Sequence, residues 1–441
     1  MKRLLSLLLC AVLALFCATT AQAAGVSITL TASEYALHYA FDAGAQDPFV
    51  ILEYATPAEK GWMMLYSEDG HFEGDVSLAY SGAGGKTSVA LTSARTTGSI
   101  GKASTTLPKA ADYQKPTGKS NAKVTDFVLT ETPEGFHYAF NAIGTDYMLL
   151  YWRSKEQTVT QPVYPDENGH YEGDVVSELT FARTQFTVQV KSGSGSMKKE
   201  ATVRKGYQAP EAPQRQEGRL SGVTVCIDAG HQENGRFVNE PIGPGLTGST
   251  SGKGGMAQGT KTNRRESIVC LEIGMLLRDE LLRQGANVIM TREDQTTFHT
   301  NIERCEIAEA GGAQIMLRLH CNNSSNRSKR GIQVYGPLNS DYAKAVADAD
   351  TYREMGQKLL DAMKTRVGMT LANSTGMVRL NDNYVGNNWA KMMCFLVEMG
   401  YLSNPAEEYL LVTPVYQQWL AEGMADGVYE IAVARGWVQA Q

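Results

Sequence analysis

The sequence predicts a multidomain protein in which two tandem all-β, sandwich-like repeats precede an α/β domain with a mainly parallel central sheet flanked by helices. Three observations predict this class. The first half repeats the same motifs at a fixed spacing, its apolar runs are short and lie between turn residues, and the second half alternates apolar strands with helical patterns. A chain of 441 residues has room for about three domains.

The chain begins with a segment typical of a secretory signal peptide. Residues 1–23 contain two basic residues, an apolar run and a small-x-small ending at Ala21 and Ala23. Cys17 raises a lipoprotein as the alternative, but the bulky Phe16 before it does not fit a lipoprotein cleavage site. No other run approaches the roughly 18 apolar residues of a membrane helix. We therefore expect the mature protein to work outside the cytoplasmic membrane.

Composition limits the partners and the cysteine chemistry. A net charge of −6 without a basic stripe predicts no nucleic-acid partner. Five cysteines remain beyond the leader, and an odd number does not suit a disulfide framework. Their mostly apolar neighbours predict buried free thiols at Cys226, Cys270, Cys305, Cys321 and Cys394.

The first half carries the same motifs twice. HYAF begins at His38 and again at His137, and GHFEGDV from Gly70 matches GHYEGDV from Gly169, each pair 99 residues apart. Such spacing indicates a duplicated module. Aromatic and β-branched runs between Gly, Asp and Asn turns are typical of antiparallel strands. The two predicted sandwich-like repeats are residues 24–110 and 121–207.

Four of the seven histidines lie in these repeats. His71 and His170 follow Asp-Gly and Asn-Gly pairs, which favour hairpin turns. We predict structural roles for all four, and neither a nucleophile–base pair nor a ligand cluster in the repeats. The repeats are interpreted as binding or spacer modules. The four histidines are His38, His71, His137 and His170.

Stretches rich in Pro, Gly, Ser, Lys and Gln predict linkers at residues 99–120 and 208–219. The third domain, residues 220–441, begins with the buried-strand run VTVCID and continues with a helical pattern from Glu266 that ends at Gly285. Further strands and helices alternate to the end of the chain, as in a sheet covered by helices.

Polar side chains follow the predicted strands of this domain. His231 and His320 come just past the ends of two apolar strands, Glu398 closes another, and Glu266 opens the first helix. Because the carboxyl ends of parallel strands share one edge, we expect the four groups to converge there. Two imidazoles and one carboxylate are a common ligand set for catalytic Zn²⁺, and a nearby carboxylate suits proton transfer in amide hydrolysis. Strand-end histidines without a metal are the alternative.

Four ordered motifs in this domain resemble a known family. IDAGH, the glutamate of RRESIVCLEI, RLHCN and VEMGYLSNP are similar to the motifs of zinc-dependent N-acetylmuramoyl-L-alanine amidases of the Amidase_3 type. The resemblance covers the carboxy-terminal domain only. It implies that one Zn²⁺ is held by His231, Glu266 and His320, and that Glu398 is the catalytic residue.

The resemblance also implies a substrate and a location. The family cleaves the amide bond between N-acetylmuramic acid and L-alanine in peptidoglycan, so a secreted or cell-wall-associated bacterial enzyme is expected, periplasmic if the organism has an outer membrane. Peptidoglycan is the expected partner of the repeats as well, from export and duplication alone. The alternative is a catalytically inactive wall-binding protein on an amidase fold.

Several positions depart from the family or lie outside its motifs. The family usually has Pro at Ala229, Asn at Cys270 and a smaller residue at Cys321. Cys321 beside His320 raises a cysteine-peptidase alternative, although neighbours on a strand face opposite sides.

Three further expectations concern residues near the motifs. Asp228 is predicted either to orient the ring of His231 or to cap the turn. His299 is expected at the surface, and the Gly-rich residues 243–255 form a flap or a disordered loop.

Overall fold

The computed structural model forms two compact units, residues 1–206 and 207–441. Residues 1–18 and 23 of the predicted signal peptide, and residue 24 after it, lie outside the described residues. The structure describes residues 19–22, 25–96, 98–113, 115, 117, 120–132, 135–153, 157–176, 185–191, 197–204, 210–232, 238–250, 255–262, 264–367 and 377–440.

The amino-terminal unit is all-β, as predicted, and its described strands pair antiparallel. Its strands are β1 (Thr19–Gln22), β2 (Ser27–Ala32), β3 (Ala36–Asp42), β4 (Phe49–Ala55), β5 (Glu59–Tyr66), β6 (His71–Ser77), β7 (Gly85–Ser93), β8 (Ser99–Leu107), β9 (Ser120–Thr132), β10 (Gly135–Thr145), β11 (Met148–Arg153), β12 (Gln157–Val163), β13 (His170–Val176), β14 (Gln185–Lys191) and β15 (Met197–Arg204).

Three sheets form among the described residues of this unit. Their strand orders are β1-β2-β3-β6, β13-β10-β9 and β15-β14-β11-β12-β5-β4-β7-β8. One apolar core lies among β2 to β8 and a second among β9 to β14. The eight-stranded sheet runs through both regions because β5 pairs with β12, from Glu59 opposite Val159 to Gly61 opposite Gln157. The interpretation as two tandem repeats stays a prediction.

The predicted linker at residues 99–120 is wrong for its first part, because Ser99–Leu107 is strand β8, paired with β7. Alternate residues of β8 are buried, but most are small: Gly101, Ala103 and Thr105 precede Leu107. A strand that buries small side chains has the period of two without a strong hydrophobic signal. The composition of this segment therefore resembles that of a linker although it forms a strand.

The carboxy-terminal unit contains both strands and helices. Its elements are β16 (Thr224–Ala229), α1 (Glu266–Arg283), β17 (Asn287–Met290), α2 (Asn301–Ala310), β18 (Ile315–Asn322), β19 (Gln333–Gly336), α3 (Asp341–Val346), α4 (Ala349–Val367), β20 (Met377–Leu380), α5 (Val385–Trp389), β21 (Met393–Tyr401), α6 (Glu407–Leu410) and α7 (Pro414–Ala434).

The six described strands of this unit form one mixed sheet in the order β17-β16-β18-β21-β19-β20. The first four pair in parallel, β19 runs antiparallel to β21, and β20 is parallel to β19. Nearly every residue of β16, β18 and β21 is buried, as expected for strands covered on both faces. The carboxyl ends of these three strands therefore meet at one edge.

Local signals set the helix ends near that edge. Gly285 follows α1 with a φ of 94°, which glycine adopts without strain, so the predicted stop is confirmed. At the start of α2, the Thr300 side chain accepts from the Glu303 backbone N–H, and the Glu303 side chain accepts from the Thr300 N–H. No helix among the described residues combines the length and apolar character needed to cross a bilayer.

A buried ion-pair network ties β16 to its neighbours. Asp228 is fully buried and accepts hydrogen bonds from Arg304, from Arg318 Nε at 2.9 Å and from Thr291 Oγ1 at 2.8 Å. Burial favours a higher pKa, but the two guanidinium groups outweigh it and hold the pKa of Asp228 well below its usual range. The expectation that Asp228 orients His231 or caps the turn is wrong, since its oxygens are committed to these partners.

Asp228→Asn is expected to destabilise the carboxy-terminal unit by about 3–5 kcal/mol, because two buried guanidinium groups lose their counter-charge. Hydrogen exchange of β16 and β18 peptides along a urea series in the full chain measures the loss. The control is Asp426→Asn, which removes a partly exposed pair with Arg219 and is expected to cost below about 1 kcal/mol. Equal losses in the two variants would contradict the role given to Asp228.

Candidate active site

The four polar residues singled out at strand and helix ends meet at the predicted edge of the sheet. His231 lies two residues beyond β16, His320 is in β18, Glu398 is in β21 opposite His320, and Glu266 is the first residue of α1. All four line a cavity of about 900 Å³. The convergence follows from the parallel pairing of β16, β18 and β21.

Two imidazoles face one carboxylate oxygen. His231 Nε2 lies 3.1 Å and His320 Nδ1 3.0 Å from Glu266 Oε1. One ligand atom from each residue can be chosen so that all three lie within 4.8 Å of one another. The Glu266 side chain is only 4% exposed. A buried set of two nitrogen donors and one oxygen donor at this separation suits a metal ion.

The Glu266 carboxylate is held on both sides by backbone donors. Oε2 accepts from the Ala257 N–H at 2.7 Å, and Oε1 accepts from the Cys321 N–H at 3.0 Å. The loop that supplies Ala257 is itself attached to α6, because Glu408 accepts from the Lys261 N–H at 2.9 Å. Glu408 was not predicted from the sequence; its position two residues after the SNPA stretch was the available signal.

The backbone around His231 is held in an uncommon conformation. His231 has a φ of 56°, in the left-handed region that costs a non-glycine residue roughly 1–3 kcal/mol. Arg292 donates to Ala229 O at 2.7 Å and Gly230 O at 2.9 Å, and Arg304 donates to His231 O at 3.2 Å. These buried arginines therefore fix the direction of the His231 side chain.

Gly230 is required by close approach. A Cβ atom there would lie 2.4 Å from Leu319 O and 2.6 Å from His320 Cε1. Such contacts are not tolerated, so any side chain would displace β18 or the His320 ring. Glycine is therefore needed at position 230, before His231, because β18 and the His320 ring leave no room for a side chain.

Glu398 differs from Glu266 in having no hydrogen bond to one of its buried oxygens. No described residue partners Oε2. Burial, and then the nearby negative charge of Glu266, raise the pKa of Glu398 to about 8. A buried, unpartnered carboxylate with a raised pKa beside a candidate metal site is typical of a proton-transfer group.

The five described cysteines are buried free thiols, as predicted. Cys270 and Cys321, two positions that depart from the family pattern, are hydrogen-bonded to each other beside Glu266. Burial raises the pKa of both thiols, which disfavours the reactive thiolate. This argues against the cysteine-peptidase alternative.

Two other expectations are modified. His299 is not simply a surface residue: it is half-buried and lines the cavity.

The Gly-rich segment is anchored at its start. Ile242 O accepts from Asn388 Nδ2 at 3.0 Å, and the Asp341 N–H donates to Pro244 O at 3.0 Å. Residues 251–254 lie outside the described part of the chain.

Comparison with known proteins agrees with the motifs. Residues 225–430 match the family model Amidase_3, described as N-acetylmuramoyl-L-alanine amidase. The germination-specific N-acetylmuramoyl-L-alanine amidase of Bacillus subtilis (strain 168) is 26% identical over 231 residues, 49% of this chain and 83% of the relative. The probable cell wall amidase LytH of Staphylococcus aureus is 27% identical over 218 residues, 48% of this chain and 60% of its own length.

Solved structures of the same kind are also similar. The N-acetylmuramoyl-L-alanine amidase from Clostridium difficile 630 is 24% identical, covers 48% of this chain and 96% of that chain, and has a TM-score of 0.38. Ami1 from Mycobacterium smegmatis is 18% identical, covers 49% and 99%, and has a TM-score of 0.43. The family match over residues 225–430 and the relatives confirm the resemblance inferred from the motifs: this part of the chain is an Amidase_3 domain.

Proposed function

We propose that this chain is a secreted zinc hydrolase that cleaves the amide bond between N-acetylmuramic acid and L-alanine in peptidoglycan. The observation that carries the proposal is the buried cluster of His231, Glu266 and His320 in one cavity with the unpartnered carboxylate of Glu398. An inactive wall-binding protein is not favoured, because it has no need to keep such a costly carboxylate.

The residues present fit zinc. Two imidazole nitrogens and one carboxylate oxygen are donors that Zn²⁺ prefers, and three protein ligands leave one coordination position open. Ala257 and Cys321 hold the Glu266 carboxylate in place through their backbone N–H groups. When bound, zinc supplies Lewis-acid polarisation of the scissile carbonyl and activation of a water.

Glu398 performs the proton transfers in this proposal. Its carboxylate accepts a proton from the attacking water and then donates one to the departing alanine nitrogen. The low-polarity surroundings that raise its pKa to about 8 make protonated Glu398 easy to reach at neutral pH, while a bound dication favours its ionised form. One carboxyl group can therefore serve as base and then as acid.

The remaining segments fit wall hydrolysis outside the cell. We propose that residues 1–23 direct export, to the wall or to a periplasm if there is an outer membrane. Residues 24–110 and 121–207 are then two copies of a wall-binding module, joined through linker 208–219 to the catalytic domain, residues 220–441. The repeated motifs and the two separate apolar cores support duplication.

His320→Ala is expected to remove the catalytic zinc and abolish amide hydrolysis, because two ligands cannot retain the ion. Elemental analysis and amine release from purified peptidoglycan measure both. The matched control is His299→Ala, which changes another cavity histidine outside the cluster and should keep the zinc. Full activity of a chelated, metal-free sample would refute the zinc proposal.

Glu398→Gln separates metal binding from proton transfer. The variant is expected to stay folded and retain zinc, yet to lose roughly 100-fold to 10,000-fold in rate, since an amide cannot act as the base. The intact enzyme should release free alanine amines without new reducing sugars. Glu240→Gln is the control: this cavity glutamate accepts from the backbone N–H groups that start α2, and should keep most turnover. Wild-type turnover in Glu398→Gln would show that the carboxylate has no catalytic role.

The amino-terminal region is expected to fold and bind wall material without the catalytic domain. Residues 24–207 contain both apolar cores and every described strand of their unit except β1. Circular dichroism tests folding, and co-sedimentation with purified peptidoglycan tests binding. A folded fragment that sediments with no wall preparation would remove the binding role.

A further inference from the structure

Exposed histidines and carboxylates form a cluster on the outer face of β3 and β6. The neighbours of these residues along both strands, such as Leu37, Tyr39 and Phe72, point the other way into the core. The pairing of β3 with β6 sets His38 opposite Asp75 and Asp42 opposite His71, with Glu73 between the two pairs on the same face.

The hydrogen bonds give both rings the same orientation. His38 Nδ1 lies 3.1 Å from Asp75 Oδ1, and His71 Nδ1 lies 2.6 Å from Asp42 Oδ1. On the other side of each ring, Nε2 faces Glu73: His38 Nε2 is 3.3 Å from Oε1 and His71 Nε2 is 3.7 Å from Oε2. Two imidazoles thus converge on one carboxylate, and each is braced from behind by another.

The second half of the unit builds the same cluster on β10 and β13. His137 Nδ1 lies 2.9 Å from Asp174 Oδ1, and its Nε2 lies 3.2 Å from Glu172 Oε1. His170 Nδ1 lies 2.8 Å from Asn141 Oδ1, and its Nε2 lies 3.7 Å from Glu172 Oε2. Only the support of the second ring differs, with Asn141 where the first cluster has Asp42.

Hydrogen-bond chemistry indicates what belongs between the rings and the carboxylate. A carboxylate only accepts, so each Nδ1 carries the hydrogen, and the Nε2 of a neutral imidazole then presents a lone pair. Two lone pairs aimed at an acidic side chain repel it, so each Nε2 must either take up a second proton or share a metal cation with the carboxylate. At Glu266 two imidazoles also face one carboxylate, there through a single oxygen, Oε1.

Stability does not account for these clusters. The histidine side chains are 30–50% exposed and Glu73 is 58% exposed. Ion pairs in such positions typically contribute about 0–1 kcal/mol. These side chains are not part of either apolar core. Both copies nevertheless carry nearly the same side chains in the same geometry. A ligand explains the repetition.

We propose that each half of the amino-terminal unit binds one divalent transition-metal ion of the zinc class. The carboxylate brace behind each ring is the arrangement that orients metal-binding histidines. Ala40 and Ala139, directly opposite the two glutamates, leave space for the exposed rings to close on an ion. The ligands are His38 Nε2, Glu73 and His71 Nε2 in one site, and His137 Nε2, Glu172 and His170 Nε2 in the other.

This assignment replaces the purely structural role expected for the four histidines. It also predicts which of the two sites binds the ion more tightly. Asp42 supports His71 directly, whereas in the second site the amide of Asn141 lies between His170 and Asp126, to which its Nδ2 donates at 3.0 Å. A directly bonded carboxylate makes the imidazole a stronger ligand, so the site of Glu73 binds more tightly.

The test uses the full chain carrying His231→Ala and His320→Ala, so that zinc at the catalytic centre does not contribute. Equilibrium dialysis against Zn²⁺, followed by elemental analysis, is expected to find two ions per chain. Adding Glu73→Gln should leave one, and adding Glu172→Gln as well should leave none. The matched control is Glu53→Gln, an exposed glutamate of β4 outside the clusters, which should keep both ions.

Two results would overturn the proposal: a parent chain that binds no zinc, or a Glu73→Gln chain that binds as much as the Glu53→Gln control. Asn141→Asp tests the same geometry in the opposite direction, since it should increase the zinc affinity of the second site by about 10–100-fold. Unchanged affinity in that folded variant also counts against the proposal. Because both catalytic histidines are replaced throughout, these outcomes are independent of the hydrolase function.

Discussion

The buried carboxylate of Asp228 is the constraint on which the catalytic site depends. It lies in the second strand of the sheet and carries the only negative charge that contacts both Arg304 and Arg318 among the described ion pairs. With its charge satisfied there, Arg304 uses its remaining N–H groups on the backbone of Ala229 and His231. A buried ion pair is by itself weak evidence of stability, but this one holds the backbone of His231, a proposed zinc ligand.

The charged groups of the site differ in how fully they are hydrogen-bonded. Arg304 and Arg318 line the cavity together with Glu266 and Glu398, but both guanidinium groups donate to the buried Asp228 carboxylate. Glu266 is fully bonded, whereas Glu398 keeps an unpartnered oxygen and a raised pKa. Proteins keep a buried, unpartnered carboxylate oxygen mainly at sites where a reaction requires it. The Cys270–Cys321 contact leaves this arrangement intact, because Cys321 reaches Glu266 through its backbone N–H.

The two kinds of histidine–carboxylate cluster differ in burial. At the catalytic edge Glu266 is 4% exposed, and the low dielectric there strengthens every charge interaction. On the sheet faces of the amino-terminal unit the same groups remain in water, where ion pairs alone contribute little. Burial suits a group that must be held for chemistry, whereas exposure suits a site that joins two strands or meets a partner.

Sequence alone determined the class of each half, the position of most elements in the carboxy-terminal half, and which four polar residues share an edge. It could do so because hydrophobic period and chain order specify strand ends, and parallel strands bring those ends together. It misjudged β8, whose buried residues are small, and the partners of Asp228, which are distant in sequence. Periodicity says which face of an element is buried, but not which side chain lies against it. The pairing of β5 with β12, the shared oxygen of Glu266 and the convergence of exposed histidines on Glu73 are contacts between distant segments, so only the tertiary structure decided them.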